Sequence, residues 1–519
     1  MEPVKSDGSV LDLIHARLDR FCQVLVVNAR DRIPLLVVTL SVVVLFLIPL
    51  KIIGYGYLPE DDALRHAAKA VAGKPWREIL VLDPVFKVDV HEGWHATLGA
   101  VHRLTGINAE SLAVLSVVVM ALVFLVPAAF RRSRPEAWVA ALLLMIVALP
   151  AYTVRIMTGR PYLVQVAMIL LICATWQHFR APAKNKRYLG FFIILVALSV
   201  WMRSTWYLYS IPAFALVLAR EWKATIVFTT AVGIGSILGG LATGTPLLFL
   251  SQGIIFMVHA ALRDVEADIM VGEMQPFAGY AGTLLALAAV ALWGRLNGKL
   301  SGRAFDTPVF YLMLVTWMLG FVAAKFWLEF GFPAALIWLQ TRFSDQLDGH
   351  PAMDYDKAPR LALSAFLCVA LFLAVTSDHD GRWTNTLRRE YLDMNNPDHR
   401  PWLPDQGGIL YSSSMRLFFN TFLANPNGEW RYMLGFEPGL MPKEDQTIYH
   451  RIVLNGFASE AYQPWVDKMR PEDRLILRRR HNNPPTIPEL EWDYTIDNHW
   501  CGRLPRRESD ENAASRNEQ

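Results

Sequence analysis

Apolar residues run in long unbroken stretches from residue 33 to about residue 377, and ordinary mixed sequence replaces them after that. The first stretch, 33–53, matches the twenty or so residues that a helix needs to cross about 30 Å of hydrocarbon. Further stretches cover 111–130, 137–152, 162–176, 188–202, 206–218 and 224–243, then 247–262, 279–293, 308–327, 332–339 and 361–376. This pattern predicts an α-helical polytopic membrane domain over 33–377, with about ten to twelve hydrophobic helices. The first stretch begins only after residue 32 and lacks a small-residue cleavage site, so it reads as a retained anchor rather than a signal peptide.

Lys and Arg collect in alternate connections, at Arg131, Arg132 and Arg134, at Arg180, Lys184, Lys186 and Arg187, at Arg220 and Lys223, and at Arg295, Lys299 and Arg303. Basic short loops mark the cytoplasmic side. Counting back puts a cytoplasmic segment at 1–32 and a long first outward loop at 54–109. The alternation survives only if 247–262 is re-entrant or interfacial. The stretch 332–339 is too short to span unless 341–344 extend it, and the side on which the tail emerges turns on that crossing.

The tail, 378–503, reads as a water-facing α/β domain. Gly408-Ile-Leu-Tyr-Ser, Trp430-Arg-Tyr-Met-Leu and 474–477 have strand character, and 462–469 suggests a short helix. The last stretch, 504–519, is polar enough to be a disordered tail.

Composition agrees: 53% of residues are hydrophobic and only 19% charged, against about a quarter charged in ordinary soluble domains. A net charge of +3 with no long basic block argues against a nucleic-acid partner. The four cysteines, Cys22, Cys173, Cys368 and Cys501, are too scattered for a disulfide framework or a zinc pattern.

Candidate chemistry gathers in the first loop. Pro59 opens a predicted helix whose first turn carries Glu60, Asp61 and Asp62, just beyond the first apolar stretch. One reading is compensation of the helix dipole, with Asp61 and Arg65 paired at i, i+4. The other is a carboxylate held against the bilayer that deprotonates or orients an acceptor hydroxyl. Further along, His91 and His95 share a helix face with Glu92 nearby, a set read as one residue short of the His-Glu-x-x-His zinc signature and suited either to a divalent metal ion or to ordinary polar contacts.

Arg155, Arg160 and Arg203 stand at outward ends of apolar stretches, where a charge is expensive without a partner, and Lys325 and Arg342 occupy similar edges. Lipid-headgroup snorkelling explains any one of them. Several around one face, beside an acidic cluster, fit a phosphate, which the guanidinium fork binds through two parallel hydrogen bonds.

These features together resemble the GT-C superfamily of polytopic glycosyltransferases, including its dolichyl-phosphate mannosyltransferase and lipid A aminoarabinose transferase branches. The likeness is carried by the Asp61-Asp62 pair after the first span, a two-helix outward loop, Val101-His-Arg-Leu-Thr-Gly106, the Thr158-Gly-Arg-Pro-Tyr162 turn and a water-facing tail. It covers roughly 57–218, and beyond that it is one of architecture. Members often have prolines in the middle of the first loop, where this chain has Glu92-Gly-Trp-His.

The resemblance implies an inverting glycosyltransferase of the cytoplasmic membrane with its active face outside. Its donor would be a polyprenyl-phosphate-linked sugar and its acceptor a glycan, lipid or protein. Asp61, with Asp62, would be the catalytic carboxylate. Arg155, Arg160, Arg203, Lys325 and Arg342 would bind the donor phosphate, and Glu60, His91, Glu92 and His95 the acceptor or a metal. The alternatives are a membrane transporter, which would show internal repeats and mid-span charges, and a glycan polymerase or ligase, for which 263–268 in a late loop supplies acidic residues.

Overall fold

The computed structural model describes residues 16–17, 20, 33–59, 61–122, 134–261, 272–277, 281–348, 358–387, 389–479, 483–496 and 498–505. Glu60, Arg131, Arg132, Cys22, the 263–268 segment and most of the expected terminal segments lie outside these residues.

Every apolar stretch carries a helix. The first, α1 (Ile33–Gly54), leads into a loop that holds α2 (Asp62–Ala72), the single turn α3 (Trp76–Ile79) and α4 (Glu92–Thr105). Then come α5 (Ala109–Ala121), α6 (Pro135–Ala148), α7 (Ala151–Ile156), α8 (Tyr162–Thr175), α9 (Lys186–Met202), α10 (Ser210–Leu218) and α11 (Trp222–Leu241). The helical part ends with α12 (Pro246–Ala261), α13 (Ala281–Leu296), α14 (Pro308–Gly320), α15 (Phe332–Leu347) and α16 (Ala358–Thr376). Pro150 divides the 137–152 stretch into α6 and α7, because proline supplies no N–H for the ladder and clashes with the preceding turn. Among the described residues, Leu35–Gly54, Tyr162–Arg180, Trp222–Leu241 and Pro359–Thr376 are long and apolar enough to cross a membrane.

The helices approach closely where side chains are small. In α11, Gly235 and Gly239 are four apart and share one face, and a Cβ added to Gly235 would lie 2.7 Å from Val196 Cβ of α9. Small residues at this spacing let two helix backbones meet. At one edge of the helical layer, Arg360 of α16 makes a two-pronged ion pair with Glu136 of α6, at 2.8 and 3.1 Å, both side chains essentially inaccessible to solvent. On the same edge Arg134 reaches Asp348 at 2.8 Å, and Lys299 donates to the Gln346 carbonyl at 2.8 Å.

The 332–339 stretch continues as one helix to Leu347, so α15 starts beside Tyr152, whose ring stacks on Phe332 at 3.6 Å, and ends at the Arg134–Asp348 edge. Helix α16 begins at that edge with Arg360 and returns to the first, where Arg382 donates to Thr153 at 3.2 Å. The chain therefore enters its tail on the side of the first loop.

The tail contains a five-stranded mixed sheet in the order β2-β1-β3-β5-β4, built from β1 (Ile409–Ser412), β2 (Arg431–Tyr432), β3 (Arg474–Arg478), β4 (Glu491–Ile496) and β5 (His499–Arg503). Strand β1 is parallel to both β2 and β3, whereas β5 runs antiparallel to β3 and β4. Helices α17 (Met415–Ala424), α18 (Lys443–Leu454) and α19 (Gln463–Val466) complete it. Strands at 409–412, 431–432 and 474–478 and the short helix fulfil the sequence expectations; α17, α18 and the β4–β5 hairpin were not among them.

Tail and first loop are joined by backbone. Leu80 bridges Tyr432 in parallel fashion, Val81 N–H donates to the Tyr432 carbonyl at 3.0 Å, and Asp83 N–H to the Leu440 carbonyl at 2.8 Å. Lys74 adds a hydrogen bond to the Gly428 carbonyl at 2.9 Å. Because these are main-chain contacts, side-chain substitution leaves most of them in place.

Candidate active site

Helix α2 is capped by Asp61, which has extended backbone and accepts the Asp62 N–H at 2.7 Å. This fixes the carboxyl at the helix start, where the macrodipole favours negative charge. Capping does not exhaust it. The Arg160 guanidinium closes on the same carboxylate, Nη2 lying 2.5 and 2.6 Å from the two oxygens and Nε 3.0 Å from Oδ1. Asp62 pairs with Arg65 one turn on, at 2.6 Å, in place of the expected Asp61–Arg65 pair. Arg65 in turn lies 3.8 Å from the centre of the Phe436 ring of the tail. Its Nη1 is buried without a hydrogen-bond partner among the described residues.

Two acids that were not anticipated complete the wall. Glu273 takes Arg160 Nη1 at 2.6 Å and Arg155 at 2.7 Å. Glu329 takes Arg203 at 3.2 Å and Lys325 at 3.8 Å. Glu329 sits in a π-helical turn, Trp327–Gly331, a widening of the helix that recurs at functional sites. Of the five expected phosphate-binding cations, Arg160, Arg203 and Lys325 line one cavity and Arg155 braces it through Glu273. Arg342 does not belong with them. It pairs with Asp345 on its own helix at 3.1 Å, ten residues, or about 15 Å, along α15 from Phe332.

The cavity, about 310 Å³, lies between the helical layer and the tail. Arg65, Arg160, Arg203, Lys325 and Arg416 face Asp61, Asp62, Glu273, Glu329 and Glu437 across it, with Phe256, Phe419 and Phe436 as apolar wall. Burial works to raise the carboxyls of Asp61, Asp62, Glu273 and Glu437, and the outcome depends on the neighbour. For Asp62, Arg65 and Arg160 override burial and hold it well below the usual carboxylate range. Arg160 and Arg155 do the same for Glu273. Burial wins at Asp61, which is raised despite Arg160 and with Asp62 adding to the rise.

Glu437 differs from the rest. It comes from the tail, just before the turn Pro438–Leu440, and its carboxyl has no hydrogen-bond or ion-pair partner among the described residues. Burial, reinforced by Glu273 and Asp62 and only partly offset by Lys325 and Arg160, pushes it up to about 8.

A second, smaller recess of about 120 Å³ adjoins the first, with His91, Phe256 and Phe436 common to both and Trp76, Phe86, Lys69 and Asp89 on its far side. Behind it lies a buried chain of rings. His95 Nδ1 donates to Asp89 at 2.5 Å, and His66 Nδ1 donates to His95 Nε2 at 2.7 Å. Burial holds His66, His91 and His95 below their ordinary range, so all three rings are neutral at neutral pH. The segment His91-Glu92-Gly-Trp-His95 does have the spacing of the His-Glu-x-x-His zinc motif, which corrects the reading that His95 falls one residue short of it. Here both ring nitrogens of His95 are engaged, His91 is the cap residue just before α4, and Glu92 lines neither cavity. Among the described residues no three His, Cys, Asp or Glu side chains converge to hold a metal.

No family model matches the chain, and no curated protein matches it.

Proposed function

We propose that the chain is a membrane glycosyltransferase. It takes a sugar from a polyprenyl-phosphate donor and transfers it, with inversion, to a glycan, lipid or protein hydroxyl at the outer face of the cytoplasmic membrane. In this reading the apolar helices form a multi-pass GT-C-like membrane domain, and the tail covers the cleft from the water side.

The observation that carries the reading is the cavity itself, where Asp61, Arg160, Arg203 and Lys325 converge at the ends of the apolar helices. A lipid phosphate reaches such a place from the bilayer and a hydroxyl acceptor from water. Charge fits as well. With Glu437 neutral, five cations oppose four carboxylates, which leaves the cavity suited to the single negative charge of a phosphodiester. Among the described residues, the buried Arg65 Nη1 is a donor still lacking an acceptor. As the sugar–phosphate bond breaks, the phosphate gains a second charge, and fixed cations in a dry site stabilise that developing charge more than the ground state. The adjoining recess is lined by Trp76 and Phe86, aromatic side chains against which a sugar ring can pack.

Mass spectrometry of lipid-linked sugars from cells lacking the chain tests this. A polyprenyl-phosphate sugar should accumulate while one surface glycoconjugate is lost; an unchanged lipid-linked pool overturns the proposal.

A further inference from the structure

Sugar transfer to a hydroxyl needs a group that removes the hydroxyl proton, and most of the carboxyls in the cavity are badly placed to be that group. Asp61 is gripped by three contacts from Arg160. Asp62 is paired with Arg65, Glu273 with Arg155 and Arg160, and Glu329 with Arg203 and Lys325. A carboxylate that accepts hydrogen bonds from a guanidinium or ammonium must give them up to take a proton, and this holds for Asp61 even though burial raises it. Among the described residues, Glu437 is the one carboxyl lining the cavity for which no such partner is found. It also enters from the opposite wall, on the tail that adjoins water, whereas the paired acids hold the cations in place from the helical side.

We propose that Glu437 is the catalytic base for the acceptor and that Asp61 is a positioning residue that holds Arg160 against the donor phosphate. The assignment rests on the transferase reading. In the step, the acceptor oxygen forms a bond to the anomeric carbon while the bond from that carbon to the phosphate oxygen breaks. The electron pair of the broken bond stays on the polyprenyl phosphate, and the hydroxyl proton passes to a Glu437 carboxylate oxygen. Glu437 then releases that proton to water. Nothing is oxidised or reduced, and the net charge of the site with its substrates is unchanged across the step.

The charged groups facing Glu437 are Glu273 and Asp62, which favour its protonated form, and Lys325 and Arg160, which oppose it; Arg65, Arg203, Arg416, Asp61 and Glu329 stand further round the same cavity, with His91 neutral. Because the carboxyl is pushed up to about 8, the ionised form that acts as base is the minor one at neutral pH. It has correspondingly high proton affinity, and general bases work best when tuned towards the working pH. The sign follows directly: turnover rises about tenfold per pH unit below 8 and levels off above it.

The full-length protein in lipid nanodiscs is assayed with the polyprenyl-phosphate sugar that accumulates in cells lacking the chain, with release of polyprenyl phosphate followed from pH 6 to 10. Glu437→Gln keeps the shape and replaces a group that is mostly neutral at pH 7, so it folds as wild type. It should lose about 10² to 10⁴-fold in turnover and lose the rise towards pH 8, with donor KM little changed. Formate should partly restore Glu437→Ala. A Glu437→Gln protein that keeps the wild-type rise with pH, whatever its absolute rate, overturns the assignment, since a merely structural role would leave that rise intact. Failure of the wild-type protein itself to use any lipid-linked sugar overturns the transferase reading, and the base assignment with it.

Discussion

Replacing Asp61 by Asn separates a base from a clamp. Asn caps a helix about as well as Asp, so the hydrogen bond from Asp62 N–H survives and α2 keeps its start. What disappears is the charge opposite Arg160, and with it the two-pronged contact at 2.5 and 2.6 Å. A hydrogen bond to a charged group contributes about 1.5–3 kcal/mol. Arg160 is not stranded, because Glu273 still holds its Nη1 at 2.6 Å, so the loss belongs near that range rather than at the larger cost of an orphaned buried charge. If the clamp serves to aim Arg160 at the leaving phosphate, a loss of that size lowers kcat/KM by about 10 to 150-fold. The rise of turnover towards pH 8 should remain, since Glu437 still sets it. Initial rates of polyprenyl phosphate release across the pH range decide the matter. An Asp61→Asn enzyme whose pH dependence is flat, beside a Glu437→Gln enzyme whose pH dependence is normal, would refute the argument and make Asp61 the base.

Other consequences are open to measurement. Glu136→Gln removes the carboxylate charge paired with the buried Arg360 guanidinium and should cost about 3–5 kcal/mol in thermal or denaturant unfolding, whereas Glu136→Leu combined with Arg360→Met should be nearly neutral. Gly93→Ala would bring a methyl within 2.5 Å of the Trp201 ring and should destabilise by about 1–3 kcal/mol; a melting temperature equal to wild type would show that α4 and α9 are less tightly apposed than they look. A reporter enzyme active only in the cytoplasm, fused after Arg503, should stay silent, and a cysteine at Lys74 should react with an impermeant reagent on intact cells; the opposite pair of results would reverse the proposed orientation.

The helices were legible because an apolar stretch of about twenty residues has few other fates, and each expected stretch carries one. Asp61, Asp62 and Arg160 were legible as charges dense at the ends of such stretches. Their mutual pairing was not, since 99 residues separate Asp61 from Arg160. Glu329 had left a mark that went unread: one acid in Phe326-Trp-Leu-Glu-Phe330 is a charge in apolar surroundings, and such a charge needs a partner. Glu437 left none, because a single Glu before a proline looks like any turn and its isolation exists only in three dimensions. His66 falls four residues after Asp62 on one helix face, yet its link to His95 depends on two helices meeting. The β4–β5 hairpin did have a local signal in the sequence, the Asp-Asn pair that follows Ile496, overshadowed by the polar stretch that follows.

The main-chain seam between the first loop and the tail also governs when the protein becomes competent during its own synthesis. Lys74 and the carbonyl it binds at Gly428 are 354 residues apart, and elongation proceeds at about 5–20 residues per second. The half of the cavity that holds Asp61 is therefore translated tens of seconds before the half that holds Glu437. Through that interval Leu80 presents an unmated strand edge and the arginines have only one wall. The nascent chain can assemble its helices in order but cannot close its cleft until the final quarter has been made. A ribosome that stalls after α16 leaves a product without the wall that carries Arg416, Phe436 and Glu437, so quality control of this protein has to inspect the seam as well as the helices.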